Sequence, residues 1–283
     1  MMKLSAYPYN WKYGIYLLIT VLSLSWNLAA QTTDQKSIDW QLGLGLGYVY
    51  DDYLSPLPHQ GNSLLFSCGT AQPLNWGLPK TQGLTFEDAK WTNQFSFSVN
   101  PIYSKSQAGS RMLHGNADIR DYLIRKIVHQ PDWSASIGGF LALGGGGRYC
   151  LVNGNNPASL DLYLEFGVTA LADYRFSLLN KPMKLTYQGS LSLSGIAFSP
   201  EYAESYYEIF YLGNDKNIVK YTQPLNNQHW RQQLSLDIPL SRRKSSLRLN
   251  LRNDGHVTLY NNIRTRVLST HFSAGYIRYF NIL

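Results

Sequence analysis

The chain has 283 residues, a formal net charge of +7, 44% hydrophobic and 15% charged residues, and aromatics at 14%. No clustered basic stripe with stacking aromatics is present, which excludes a nucleic-acid-binding surface. The mean hydropathy of −0.24 is low for a membrane protein, yet a barrel with a polar lining averages out this way, so insertion is not excluded.

Lys3 and Lys12 precede an apolar stretch from Gly14 to Trp26 that ends in Ala29, Ala30 and Gln31. This is the pattern of a secretory signal peptide cut near Ala30. The stretch falls short of the ~20 residues a spanning helix needs, and no cysteine directly follows it to carry a lipid anchor. The expected organisation is a signal peptide over 1–30 and one domain over 31–283. Removing 1–30 takes away two lysines and no acid, so +7 becomes +5.

From Trp40 to Tyr50, alternate residues Trp40, Leu42, Leu44, Leu46, Tyr48 and Tyr50 share one side. From Leu160 to Ala170 the apolar set Leu160, Leu162, Leu164, Phe166, Val168 and Ala170 opposes Asp161, Tyr163, Glu165 and Thr169. Strand side chains point to opposite faces with a period of two, so one face reads as lipid-facing. A soluble sandwich also alternates, but its strands usually run ~3 to 10 residues. Several segments here keep phase longer than the ~9 to 11 residues a spanning barrel strand requires.

Ten strands are expected, near residues 39–52, 62–74, 86–100, 112–127, 132–145, 158–176, 182–198, 228–240, 245–260 and 263–280. The fold class is all-β, an antiparallel transmembrane β-barrel of about ten strands, with twelve as the alternative. Short polar turns at 129–132, 179–182 and 241–244 alternate with longer segments at 53–61, 101–111, 146–157 and 199–227. That places the short turns in the periplasm and the long loops outside. The 75–85 connection and a tight Asn261–Asn262 turn break the rule. Trp40, Trp91, Trp133, Trp230, Tyr48, Tyr50, Tyr174 and Tyr276 fall near strand ends, as headgroup-level girdles would.

On the strand at 182–198, Met183, Leu185, Tyr187, Leu191 and Leu193 point outward, against Lys184, Thr186, Gln188, Ser190, Ser192 and Ser194. On 245–260, Leu247, Leu249, Leu251, Val257 and Leu259 oppose Arg248, Asn250, Arg252, Asp254 and His256. The last strand carries Phe272, Ala274, Tyr276 and Phe280 in one phase, which resembles the carboxy-terminal signal read by barrel-assembly machinery.

One segment breaks the rhythm. In 199–214, Ser199 can cap, Pro200 suits the first helical position, Glu201 suits the positive end and Gly213 can terminate. A short extracellular helix from Pro200 to Leu212 is expected, with Tyr202, Tyr206, Tyr207, Phe210 and Tyr211 as an aromatic cluster that caps or plugs the mouth. The twelve-strand alternative makes 205–212 and 218–223 a further strand pair.

The stretches LSPLPHQG at 54–61, NGNNPAS at 153–159 and SPEYAESYYEIF at 199–210 resemble recurring features of a domain-of-unknown-function family of Gram-negative outer-membrane barrels. The resemblance spans nearly the whole mature chain. It implies fold and outer-membrane location, and brings no activity or site residues with it.

Candidate chemistry is sparse. His59, with Asn62 and Ser63 nearby, loosely echoes a His-Ser-Asn hydrolase, but a polar loop histidine is the favoured reading. His114, Asn116, Asp118 and Arg120 share the inward phase of their strand, which reads as lumen packing. Asp51 and Asp52 have no matching Asp-His dyad for a barrel protease. His129 and His229 read as turn or strand-edge residues, and His256 and His271 as strand residues without partners. The glycine run 144–147 lacks the lysine and helix of a phosphate loop and reads as a flexible rim. Cys68, inside a strand, and Cys150, in a loop, are expected to stay unpaired. No His or Cys spacing fits a metal, so neither a cofactor nor a metal is expected.

The lumen is therefore the informative face. Asp118, Asp161 and Glu165 face inward with Arg120, Lys184, Arg231, Arg248 and Arg252, and should pair across the interior, since an unpaired buried charge is costly. Ten strands enclose little more than the ~8-strand case whose side chains just fill it. A mostly filled lumen without a large open channel is expected, with one wall thin at Gly43, Gly45 and Gly47, where a small cavity has room. The function expected is a non-enzymatic outer-membrane barrel with a structural, surface-interaction or accessory role. Its partners would be outer-membrane lipid and lipopolysaccharide, the assembly machinery, and a protein met through the extracellular loops. The alternatives are a narrow pore or lipophilic-solute channel, and a lipid hydrolase using His59 or His114.

Overall fold

Strand pairing closes the alternating segments on one another. The computed structural model describes residues 35–74, 86, 89–154, 156–201, 204–213, 216–240 and 244–281. The expected signal peptide, the 75–85 connection, Tyr202 and most of the 241–244 turn lie outside the described residues. In chain order the elements are β1 (Gln35–Asp51), β2 (Ser55–Leu74), β3 (Trp91–Lys105), β4 (Arg111–His129), β5 (Trp133–Cys150), β6 (Ala158–Leu178), β7 (Lys181–Phe198), α1 (Tyr206–Phe210), β8 (Val219–Thr222), β9 (Asn227–Pro239), β10 (Ser245–Tyr260) and β11 (Ile263–Asn281).

Ten strands pair antiparallel in the order β6-β5-β4-β3-β2-β1-β11-β10-β9-β7, and β7 returns to β6. The result is a closed ten-stranded barrel, as the alternation predicts. The seam is β1 on β11, running from Gln35 opposite Asn281 to Asp51 opposite Thr265. Of the twelve-strand alternative only β8 forms. Its four residues pair with the last turn-ward residues of β7, Gly195 to Phe198, and do not span.

Both described chain ends, the connections at 130–132 and 179–180, and Leu240 and Lys244 lie at one end of the barrel, here the terminal end. The described connecting residues at 52–54, 106–110, 151–154, 156–157, 199–201, 204–213, 216–226 and 261–262 lie at the other, the loop end. The 179–180 and 261–262 connections are two-residue hairpin turns with positive φ throughout: 52° at Leu179, 60° at Asn180, 49° at Asn261 and 63° at Asn262. That is type I′ geometry, whose twist matches the strands it joins. Asparagine tolerates it at low cost, whereas Leu179 does so with more strain.

The exterior is apolar. Leu42, Leu44 and Leu46 are 67%, 68% and 70% exposed, and Phe272, Phe166 and Ile137 join them. Trp40 lies opposite Tyr276 across the seam, Trp133 opposite Tyr174, and Trp91 beneath the Arg125 guanidinium, forming an aromatic row toward the terminal end. The interior is polar and buried, so the two faces have the polarity of a barrel in hydrocarbon.

Several boundaries differ from expectation. β2 begins at Ser55, so residues 55–61 extend the ladder and the loop shrinks to 52–54. β3 starts about one turn-length later than expected and ends at Lys105. β5 runs on through the glycines to Cys150, so 144–147 is ladder and not a flexible rim. The reason is close packing: a Cβ on Gly144 would lie 2.1 Å from the Tyr163 ring, and one on Gly146 2.1 Å from the Gly115 carbonyl oxygen. Here glycine admits neighbours rather than flexibility.

Ser194 faces outward, against expectation, because a bulge at Leu193, which is skipped where the β6–β7 register steps from Phe166–Ser194 to Gly167–Ser192, shifts the phase of β7. Its hydroxyl donates to Tyr221. The thin wall at Gly43, Gly45 and Gly47 encloses no open space. Ile102 fills the position beside Gly47, and His271 that beside Gly45.

Helix α1 is shorter than expected. Ser205, not Ser199, is the cap. Its hydroxyl accepts from the Glu208 N–H, and the Glu208 carboxylate accepts from the Ser205 N–H, completing a capping box. Gly213, with φ +74°, follows the helix end as expected.

Candidate functional site

The lumen is crossed by three polar tiers. At the loop end, Arg148 on β5 reaches Asp51 on β1 (2.6 Å) and grips Asp161 with two nitrogens, each at 2.6 Å. It also donates to Ser159 at 3.0 Å. Asp51 accepts in turn from the Tyr53 N–H. This paired Arg–carboxylate fork is geometrically demanding and among the stronger hydrogen-bonding arrangements.

The middle tier is denser. Asp118 on β4 accepts from Arg120 Nε (2.7 Å) and, across the lumen, from Arg231 on β9 (2.9 Å), with Ser98 as a further donor. Arg231 also holds Asp254 on β10 (2.6 Å), and Arg252 holds the other oxygen of Asp254 at 2.5 Å. Arg252 then crosses to Ser98 on β3 at 3.1 Å. Arg120 donates to His229 Nε2 at 2.9 Å, so the imidazole carries its proton on Nδ1 and donates it to Glu165 at 2.7 Å. Glu165 accepts two more bonds, from Asn227 at 2.5 Å and Ser192 at 2.7 Å. Arg120 and Glu165 are each 0% exposed. Such groups are tolerated only because partners replace the lost water.

At the terminal end the lining opens into a polar vestibule of about 630 Å³. Arg248 makes a fork with Asp237 (2.7 and 2.8 Å) and Lys184 sits 3.6 Å from Asp173. Arg231 and Arg252 form the vestibule floor. Beyond that floor, among the described residues, lie two spaces of about 40 Å³ and 20 Å³, each with room for a water or two.

Asp118, Arg120, Asp161, Glu165, Lys184, Arg231, Arg248 and Arg252 all line the interior. Their pairing differs from a simple cross-lumen match. Arg248 meets Asp237, and Arg252 meets Asp254, while Asp161 and Glu165 answer to Arg148 and His229. Arg148 and His229 escape the sequence reading because their positions look like loop and strand edge. The extension of β5 and the phase of β9, in which His229, Arg231 and Gln233 alternate inward, are the signals that find them.

The other candidates sit among close neighbours. Asp52 accepts from the Tyr50 hydroxyl and the Arg264 N–H. His59 is a buried strand residue, not a loop residue, and lies 3.1 Å from Ser110. His114 is buried at the edge of the 40 Å³ space. Ser63 meets His271 at 2.7 Å and Asn100 at 2.6 Å, yet the pair is buried and His271 Nδ1 has no partner among the described residues. Among the described residues no acid orients the His271 ring at Nδ1. Cys68 and Cys150 are free thiols, Cys150 within β5.

Glu165, His229 and His256 bring ligand atoms within 4.8 Å of one another. However, the two imidazoles stack at 4.3 Å with 19° between planes, so their in-plane lone pairs run side by side instead of converging. Arg120 already occupies His229 Nε2, and His256 Nε2 donates to Asn227. Tyr163 stands edge-on to both rings. The arrangement is a packed hydrogen-bonded cluster.

The mouth is strapped by the segment leading to α1. Asn261 donates to the Ser199 and Pro200 carbonyls, Tyr53 donates to the Glu204 carbonyl, and Tyr206 accepts from the Leu160 N–H at 2.6 Å. Tyr206 stacks with Phe198 and Phe210, while Tyr207 and Tyr211 stack at 4.8 Å and remain exposed with Phe210. Burial pushes the Tyr53 hydroxyl up to about 12 and also raises Tyr206. The Ser205 N–H and hydroxyl hold the Glu208 carboxyl below its ordinary value.

Residues 15–283 match the sequence profile described as Protein of unknown function (DUF3316). No curated protein matches the chain. Among solved structures it is similar to the transport unit of the autotransporter AIDA-I from Escherichia coli, with a TM-score of 0.49, 6% identity, and coverage of 97% of this chain and 100% of that one. It is also similar to the translocator domain of autotransporter NalP from Neisseria meningitidis (0.39, 8%, 93% and 95%) and to a Pseudomonas aeruginosa FadL homologue (0.32, 8%, 88% and 90%). These likenesses are of barrel to barrel, and at such identities they carry no activity across.

Proposed function

Because the chain belongs to the DUF3316 family, whose description assigns no activity, we propose from the geometry that it is a non-conducting, non-enzymatic barrel of the outer membrane. It acts as a structural or accessory component, presenting the aromatic α1 segment at its mouth. The observation carrying this reading is the middle tier: Asp118, Arg120, Arg231, Arg252 and Asp254, with Glu165 and His229, bridge opposite walls and leave only small spaces toward the loop end. A vestibule with a closed floor admits solvent from one side without offering a path through.

The apolar exterior and aromatic row support membrane placement, and the aromatic phase of β11 supports insertion by the assembly machinery. Single-channel recording in planar bilayers tests the closed floor. The wild-type barrel should give no steps, and Asp118→Ala combined with Arg231→Ala should introduce them; reproducible steps in the wild type would sink the reading. The absence of a catalytic role is tested separately by incubation with phospholipid and lipid A. Acyl release that disappears in Ser63→Ala or His271→Ala would overturn it.

A further inference from the structure

The outer wall near the loop end is not evenly convex. Pro101 on β3 lies opposite Gly115 on β4, Gly115 opposite Gly147 on β5, and Gly147 opposite Leu160 on β6. The two middle positions of this row, Gly115 and Gly147, have no side chain, and a Cβ added at Gly115 would meet nothing within 4 Å. One register step toward the loop end stand Tyr103, Leu113 and Tyr149, all exposed. Leu44 and Leu64 wall one side. On the other, β7 pairing with β6 reaches only to Leu162 opposite Phe198, and Tyr206 covers the free β6 edge at Leu160. The enclosed groove has a volume of about 1100 Å³ and an almost wholly apolar lining.

Charge at its rim is specific. Lys105 lies opposite Arg111, one step beyond Tyr103 and Leu113. Both are exposed, and Lys105 Nζ sits 5.9 Å above the Tyr103 ring. Neither makes an ion pair with an acid among the described residues. Two unneutralised cations thus stand at the loop end beside the exposed Tyr103 ring, directly beyond the apolar trough.

We propose that this groove seats an acyl chain of a phosphate-bearing membrane lipid, with the phosphate held between Lys105 and Arg111. An apolar trough alone would take any hydrocarbon. The facing cations select an anionic head at the depth where the chain ends. The site lies outside the barrel wall, so it goes beyond the closed-lumen reading and stands apart from it.

The test uses the full chain in neutral detergent and native mass spectrometry with three probes: phosphatidic acid, diacylglycerol with the same chains, and glycerol 3-phosphate. Phosphatidic acid should be retained most strongly, diacylglycerol more weakly, and glycerol 3-phosphate not at all. Each cation near an anionic surface is worth about 1 kcal/mol, or roughly fivefold in affinity. Lys105→Gln with Arg111→Gln should therefore weaken phosphatidic acid about 25-fold, to the level of diacylglycerol. Gly115→Phe should remove both lipids while the barrel keeps its heat-modifiable gel shift. Equal retention of phosphatidic acid and diacylglycerol by the wild type would overturn the proposal. So would binding of glycerol 3-phosphate, unchanged retention in Gly115→Phe, or a dimer that buries the groove in place of lipid. None of these readouts depends on ion passage, so failure here leaves the closed-lumen reading standing.

Discussion

Asp118 shows how much of a lumen network can converge on a single side chain. It accepts from Arg120, Arg231 and Ser98 at once, so Asp118→Ala leaves Arg120 without a carboxylate and Arg231 with Asp254 alone. Removing one partner of a buried ion pair costs about 3–5 kcal/mol. The temperature at which the folded band is lost on a semi-native gel should fall accordingly, and an unchanged midpoint would mean that water already satisfies those arginines. A milder effect is expected at Glu208. Its folded-state pKa lies below the ordinary value, so its contribution is present above about pH 4.3 and fades as pH falls through the folded value. Amide exchange protection in α1 should drop on acidification. Glu208→Gln should flatten that pH dependence, while Ser205→Ala should lower protection at all pH values.

At the scale of the element, β5 tests what glycine does in a ladder. Gly144 leaves room for Tyr163, whose ring braces His229 and His256. Gly144→Val should destabilise by about 1–3 kcal/mol or more through overpacking, whereas Gly115→Ala, facing open space, should be near neutral in the same gel assay. The hairpin turns offer a second comparison: Asn262→Gly should be tolerated, and Asn262→Val should be strained by its positive φ. These elements also show what the sequence could disclose. Period-two alternation located ten strands and the inward phase of β4, β6 and β10, because each face meets a different solvent. It could not place Arg148, since four glycines carry no polarity to alternate. Nor could it foresee the outward turn of Ser194, which follows from one bulge in β7 itself, where Leu193 has no ladder partner on β6. The cap at Ser205 was missed because Ser199–Pro200 offers an equally plausible local start, and only tertiary bonds from Asn261 and Tyr53 decide against it.

At the scale of the whole molecule, every backbone donor in a hydrocarbon-facing wall needs a ladder partner. Deleting residues 263–283 would leave β1 and β10 with bare edges, and no heat-shifted folded form should appear. Replacing residues 206–210 by a Gly/Ser stretch should leave that form intact, since α1 straps the mouth without joining the ring.

The seam that sets Gln35 beside Asn281 also makes the finished barrel indifferent to where its chain starts. If a short linker joined the two ends and the chain were opened between Asn261 and Asn262, a circular permutant would keep every strand neighbour. The entropy of closing a loop grows only as about (3/2)RT ln n, and some first and last strands must always meet, so permutation would not abolish the distant closure but transfer it from β1–β11 to β10–β11. Equilibrium stability should barely change, while the pair that forms last in refolding should move with the cut.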